Sequence, residues 1–180
     1  SPNIVLITNV SSSHIGNFKS EKAIAKAKSE IFEGLIEPSL IILNSDDKWF
    51  DYLKQKAFKF SKRVFYFGKN PNSIVKIKKL IPKINGSYLE ISNNVKLYLK
   101  NLPIHQSSNI CCALSLIRVL KLDERKIFSK LCQFNPEFGR GNHIKIYIDK
   151  TNFFQVIDDS YNANPASMLA ALKNVYEIQV

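Results

Sequence analysis

The chain has 180 residues, 45% of them hydrophobic, with 26 basic against 15 acidic side chains and a formal net charge of +11. This length suits one domain, or one domain with part of a second, and the apolar content excludes a disordered chain despite the charge. No apolar run approaches the ~20 residues of a spanning helix, and no secretory signal opens the sequence, whose Ser1-Pro2 start reads as internal to a longer protein.

Asn3 to Asn9 is a short apolar run with β-branched residues and polar ends, the pattern of a buried parallel strand. Ser11-Ser12-Ser13-His14 follows as a loop. Ser20 is placed to cap a helix running from about Glu21 to Gly34. Leu40 to Asn44 is a second buried strand, followed by Ser45-Asp46-Asp47. The result is a βαβ unit with polar residues at each strand end, the edge where open α/β sheets bind ligands. A helix from Asp47 to about Ser61 leads to a third strand, Arg63 to Gly68. Over 74–103, short segments at Ile74–Ile77, Tyr88–Ile91 and Val95–Leu99 are separated by Asn-Gly and Asn-Asn turns, which predicts a small antiparallel sheet. Helices are predicted over Ser107–Lys121 and Asp123–Cys132. Asn135 to Asn142 reads as a linker. Strands Ile144–Ile148 and Phe154–Asp158 and a helix from about Pro165 complete the chain.

The three cysteines have neither disulfide nor metal spacing, and read as buried thiols of a reducing cytoplasm. Of the 26 basic residues, 22 are Lys and four are Arg. Specific phosphate and base recognition favours Arg forks. The scattered lysines therefore read as a solvated basic surface rather than a nucleic-acid site, although a positive field still favours anionic substrates such as nucleotides.

Two groups of residues carry chemistry. At ~100° per residue, Ile24, Ala27, Ile31 and Leu35 form an apolar stripe, and Lys28 falls inside it. An inward lysine must be paired or chemically changed, or its stem must snorkel to the rim. The second group is Asp158-Asp159-Ser160-Tyr161-Asn162-Ala163-Asn164-Pro165. Carboxylates at a strand end can accept from ribose hydroxyls. The same residues also suit an Asx turn and a helix cap, and composition alone leaves both open.

Taken together, Thr8-Asn9-Val10 with His14, Ala25 to Ile31 around Lys28, Asn44-Ser45-Asp46-Asp47, and Asp158 through Met168 resemble the Mur ligases, in family order and over nearly the whole chain. The last run is similar to the members that join D-alanyl-D-alanine to a UDP-N-acetylmuramoyl-tripeptide. The resemblance implies an α/β fold: part of a P-loop-type central domain over 1–137, a mostly parallel sheet with flanking helices and a small antiparallel sheet, then the hinge and start of a Rossmann-like C-terminal domain over 138–180. It implies ATP and Mg2+ as cofactors. His14 and a carbamylated Lys28 would bind the metal and serve catalysis. His105 and Asn109 would lie beside the adenine, Arg140 would reach the phosphates, Asp159 would contact the ribose, and Asn162 and Asn164 would help shape the substrate site. The implied reaction forms an acyl phosphate that the amine of D-alanyl-D-alanine displaces. The implied enzyme is a cytoplasmic monomer acting in peptidoglycan precursor synthesis, with no nucleic-acid partner.

The match has gaps. None of the six glycines begins a Gly-Lys-Ser/Thr, so the phosphate loop is expected upstream of Ser1 and the fragment alone is expected to be inactive. Gly16 stands where an acidic residue commonly follows the histidine, and Gln106 where the family often has Asn. The competing expectations are another ligase of this fold, such as folylpolyglutamate synthase, and a non-catalytic remnant whose basic surface holds nucleic acid.

Overall fold

The computed structural model describes residues 1–11, 18–83, 86–100, 102, 104–161 and 163–178, without the His105 side chain. Six strands follow one another across one sheet in chain order: β1 (Ile4–Ile7), β2 (Leu40–Asn44), β3 (Val64–Gly68), β4 (Val75–Lys83), β5 (Gly86–Ile91) and β6 (Val95–Lys100). The chain divides into two compact units. The first holds Ser1–Lys78, Ile91–Asn94 and Ser108–Glu124, and the second Lys79–Glu90, Val95–Ser107 and Arg125–Val180.

In the first unit, β1, β2 and β3 pair in parallel, and β3 pairs in parallel with the start of β4. Two successive crossovers carry α1 (Glu21–Ser29) and α2 (Phe50–Ala57). Right-handed crossovers stepping in one direction put both helices on the same face of a sheet. Val5, Ile7, Ile41 and Leu43 accordingly share one core cluster with Ile24, Ala25 and Phe32 of the first crossover and Phe50, Leu53 and Ala57 of α2. Leu6 and Ile42 point to the other face by the two-residue period of a strand. Ile42 is fully buried there, whereas Leu6 is 37% exposed, so β1 is buried on one face only, unlike the expected fully buried strand.

Ser20 caps α1 as predicted, its hydroxyl accepting from the Ala23 N–H. The helix ends earlier than its periodicity suggested. At Glu30 it tightens into a 3-10 turn over Glu30–Gly34. The buried face already departs from the expected one within α1, through Ala25 and Ser29. Ile31 is 48% exposed and the fully buried residue is Phe32. The stripe Ile24, Ala27, Ile31, Leu35 is thus corrected to Ile24, Ala25, Ser29 and Phe32. Burying Phe32 contributes roughly 1.5–3 kcal/mol.

α3 (Ser107–Val119) carries the buried Ile110, Cys111, Cys112, Leu114 and Ile117. Near its end the Arg118 side chain is 8% exposed. Its guanidinium donates to Glu124 at 2.6 and 3.2 Å, to the Ile74 carbonyl at 2.8 Å and to the Ser92 hydroxyl at 2.9 Å. One planar fork thereby ties the helix end to the start of β4 and to the turn after β5. That turn takes Asn93 and Asn94 through positive φ of 64° and 56°, the conformation Asn tolerates best after Gly. The Asn-Asn turn is thus borne out, while β4, β5 and β6 continue the sheet begun by β1–β3.

The second unit contains α4 (Glu124–Cys132) beyond its first residue, the antiparallel pair β7 (Asn142–Tyr147) and β8 (Phe153–Asp158), and α5 (Pro165–Ile178). The β7–β8 connection is organised by Asp149. Its carboxylate accepts from the Asn152 amide at 2.7 Å, from the Asn152 and Thr151 N–H groups at 2.7 and 2.8 Å, and from the Thr151 hydroxyl at 3.0 Å. These donors hold the carboxyl far below the ordinary aspartate range. No helix among the described residues is long and apolar enough to cross a membrane.

Three expectations follow. Arg118→Ala strands the partly buried Glu124 carboxylate and should cost about 3–5 kcal/mol of unfolding free energy; a denaturant curve showing less than about 1 kcal/mol would remove the fork from its structural role. Burial pushes the thiols of Cys111 and Cys112 up to about 12 and about 11. At pH 8 a thiol reagent should therefore label Cys132 first, and equal rates at all three would contradict this burial. Because the folded-state pKa of Asp149 is depressed, its stabilisation of the turn is present above the unfolded value near ~4 and is lost only as pH falls below it. The amide resonances of Thr151 and Asn152 should stay at their neutral positions down to about pH 3; a midpoint near ~4 would sink the assignment.

Candidate functional site

In the first unit, the parallel strands stop and the backbone of 8–10 leaves the ladder. Its polar groups then need other partners. The Asn44 amide donates to the Thr8 carbonyl at 2.9 Å. The Lys28 ammonium donates to the Asn9 carbonyl at 2.8 Å. The Val10 N–H donates to the Asp47 carboxylate at 2.6 Å. Three successive residues of the loop that runs on toward His14 are thus each held by a side chain from a different place: the end of β2, the last turn of α1 and the segment before α2. Asp47 also accepts from the Trp49 N–H at 2.7 Å, and Asn44 from the Asp46 N–H at 2.9 Å, so the gripping groups are themselves oriented.

Lys28 is half-buried, and its amine meets the strand-end loop in an exposed hydrogen bond. His14 lies outside the described residues. Asn109 is exposed in the first turn of α3. No group of three or more His, Cys, Asp or Glu residues forms a metal cluster among the described residues.

Beside this loop, Gly68 ends β3 at a φ of +125°. A Cβ there would stand 2.4 Å from the Ser45 Oγ and 2.8 Å from the Asp46 Oδ1. Only glycine lets the end of β3 approach the polar end of β2, where the Ser45 hydroxyl donates to the Phe67 carbonyl at 2.9 Å and Asp46 accepts from the Lys69 N–H at 2.7 Å.

In the second unit the linker folds back on the acidic run. Gly141 N–H donates to the Asp158 carbonyl at 2.8 Å, and Tyr161 N–H to the Gly139 carbonyl at 2.9 Å. Asp158 forms an Asx turn, accepting from the Ser160 N–H at 3.1 Å and hydroxyl at 2.6 Å. Asn164 caps α5: its amide oxygen accepts from the N–H groups of Ala166 and Ser167, each at 3.1 Å. The turn-and-cap reading of the run is therefore realised by Asp158 and Asn164, and Asp159 is half-buried in the same loop. Asn162 lies outside the described residues.

Arg140 sits between the two glycines. Its carbonyl accepts from the Gln106 amide at 2.9 Å, which links it to the turn Ile104–Gln106 containing His105. Ile104 N–H in turn donates to the buried Asn174 of α5 at 3.3 Å. The second unit thus joins the Arg140 backbone to Gln106, in the turn that contains His105, and the glycines on either side of Arg140 to Asp158 and Tyr161. Sequence reasoning gave no role to Asn44, Asp47, Gln106 or Asn174. The first two stood in a quoted motif, Gln106 was noted only as a departure from the family pattern, and Asn174 carries no local signal.

Residues 1–117 match the Mur ligase middle domain. The UDP-N-acetylmuramoyl-tripeptide–D-alanyl-D-alanine ligase of Buchnera aphidicola (subspecies Baizongia pistaciae) is 32% identical over 176 residues, covering 96% of this chain and 37% of the relative. The Escherichia coli enzyme of the same name is 28% identical, covering 98% of this chain and 39% of the relative. A crystal structure of MurF from Acinetobacter baumannii has the same fold, with a TM-score of 0.84 at 24% identity over 98% of this chain and 38% of that one. The chain therefore spans less than two fifths of the length of these relatives. With the middle domain matched over well more than half of its residues, the chain belongs to the Mur ligase family.

Proposed function

We propose that the whole protein containing these residues is an ATP-dependent amide ligase joining D-alanyl-D-alanine to a UDP-N-acetylmuramoyl-tripeptide. The observation that carries this reading is the Lys28 amine, held at 2.8 Å on the Asn9 carbonyl in the loop that leads to His14. The names of the relatives and the Asp158–Pro165 run support this member of the family. Residues 1–137 would be the later part of the central ATP-binding domain, and 138–180 the hinge and start of the C-terminal domain. The 180 residues hold no GxxxxGK[ST], so in this reading the phosphate loop is supplied elsewhere in the whole protein. The enzyme would be a cytoplasmic monomer.

As an ammonium, Lys28 has donors only and cannot ligate a cation. Carbamylation changes this: the neutral amine attacks carbon dioxide, a C–N bond forms and a proton leaves. One N–H remains for the Asn9 carbonyl, and two carboxylate-type oxygens are added, a hard donor set that fits Mg2+. His14 and carbamylated Lys28 would hold the ion, which when bound neutralises charge developing on the transferred phosphoryl group. Asn44 and Asp47 would keep the loop that leads to His14 in place, opposite Lys28 at the end of α1. Arg140 would direct its donors at the nucleotide phosphates, Asp159 would accept from the ribose hydroxyls, and Asn109 with His105 would flank the adenine. Asn162 and Asn164 would shape the substrate site. The tripeptide carboxylate attacks the γ-phosphate, releasing ADP and giving an acyl phosphate. The dipeptide amine then attacks the acyl carbon and phosphate leaves. Closure of the site would keep water from the acyl phosphate.

In the whole protein, Lys28→Ala should lower ligation by about 10²–10³-fold. Added bicarbonate should not restore the rate, whereas short-chain carboxylic acids should restore part of it by supplying the missing oxygens. Ligation by the Ala variant at the normal rate would end the metal-bridge assignment.

A further inference from the structure

Tyr161 belongs to the acidic run, yet the reaction above gives it no task, and its side chain is 56% exposed. Its ring lies with its centroid 4.4 Å from the Arg140 guanidinium carbon. The Arg140 side chain is itself 46% exposed, and the carboxylate paired with it, Glu137, is 3.9 Å away and largely in solvent. Such a pair holds an arginine weakly. By contrast the Arg140 backbone is gripped on both sides: its carbonyl by Gln106 at 2.9 Å, and its N–H by the Asn142 side-chain oxygen at 3.2 Å. The main chain is therefore set, and the ring is the group that decides where the long side chain points.

The ring is in turn set by the backbone. Tyr161 N–H donates to the Gly139 carbonyl at 2.9 Å. Gly139 has a φ of +77°, and a Cβ on it would stand 3.0 Å from the Tyr161 Cβ and 3.1 Å from its nitrogen. Glycine thus permits the close approach that brings ring and guanidinium together.

We propose that Tyr161 is a positioning residue for Arg140: its ring orients the guanidinium from one side and leaves N–H donors free to fork onto the phosphates of a nucleoside triphosphate. An aromatic partner suits this task better than a carboxylate, which would occupy the donors that a phosphate must reach. The proposal rests on the nucleotide role given to Arg140 above, and its test separates the two.

The experiment measures the ATP KM and kcat of the whole ligase in four variants. Arg140→Ala should raise KM for ATP, as the nucleotide role requires. Tyr161→Leu should raise it by about two- to fivefold, the range of an exposed cation–π contact, with a smaller change in kcat. Tyr161→Phe, which keeps the ring, should recover most of the loss. In the Arg140→Ala background, Tyr161→Leu should add nothing further. A normal KM in Tyr161→Leu while Arg140→Ala is impaired overturns the positioning role and leaves the nucleotide role standing. So does a Tyr161→Leu loss that persists in full without Arg140. Normal kinetics in Arg140→Ala overturn the nucleotide role and this proposal with it. Should Tyr161→Leu fail to fold, the Arg140 Nε–H resonance of the folded protein supplies the check. Titration with ATP should shift it in the wild type and in Tyr161→Phe alike, and an unmoved resonance overturns the proposal.

Discussion

A parallel sheet ends by exposing backbone groups that have lost their ladder partners, and in this chain the answer to that constraint is the candidate site. Beyond Ile7 the strand has run out, but Thr8, Asn9 and Val10 are not left to solvent. Asn44, Lys28 and Asp47 take their carbonyls and N–H group one by one. Each hydrogen bond nets only about 1 kcal/mol, while a buried polar group left unpaired costs about 1–3 kcal/mol. The grip therefore specifies a path more than it adds stability. It can do so because the side chains doing the gripping rise from elements already seated in the core: β2 on Ile41 and Leu43, α1 on Ile24 and Ala25, α2 on Phe50 and Leu53.

The second unit meets the same constraint with different means. No long parallel strands converge on the linker, so its path is set by two glycines and a short acidic loop. Gly141 and Gly139 exchange backbone hydrogen bonds with Asp158 and Tyr161, and both glycines have positive φ. Asp158 spends its carboxylate on its own turn, and Asn164 spends its amide oxygen on the cap of α5. In a run dense with polar groups, two of them build the loop. The neighbouring Asp159 and Tyr161 are then presented by it.

What the sequence disclosed divides along the same line. Short apolar runs read as β1, β2 and β3, because a strand buried by its neighbours needs little beyond apolar β-branched residues. Ser20 read as a cap, since its partner Ala23 is three residues away. The fate of Lys28 was half legible. The stripe that drew attention to it contained Ile31, which is exposed, and the true stripe runs through Ala25, Ser29 and Phe32. The lysine still reaches the strand end, where it donates to the Asn9 carbonyl. Residues joined to distant partners were silent. Gln106 meets Arg140 across 34 positions, and Arg118 meets the Ile74 carbonyl across 44. No local pattern announces a contact that the fold alone brings about, and the joint occurrence of family motifs disclosed the family, which periodicity could not.

The basic composition acquires a physical division of labour from these contacts. With 22 lysines and four arginines, charge alone makes every cation look alike. Geometry separates them. Arg118 makes four hydrogen bonds in different directions from a nearly buried plane, which an ammonium on a flexible stem cannot do at once. Arg140 lies close over an aromatic ring while keeping donors available. The carbamylation proposed for Lys28 would need what arginine lacks. A primary amine can lose its charge and gain a carboxylate at physiological pH, while a guanidinium stays protonated and presents no comparable nucleophile. A lysine at the strand end and arginines at the helix end and linker are therefore not interchangeable cations. Each position asks for a property that the other side chain lacks, and a net charge of +11 reveals neither.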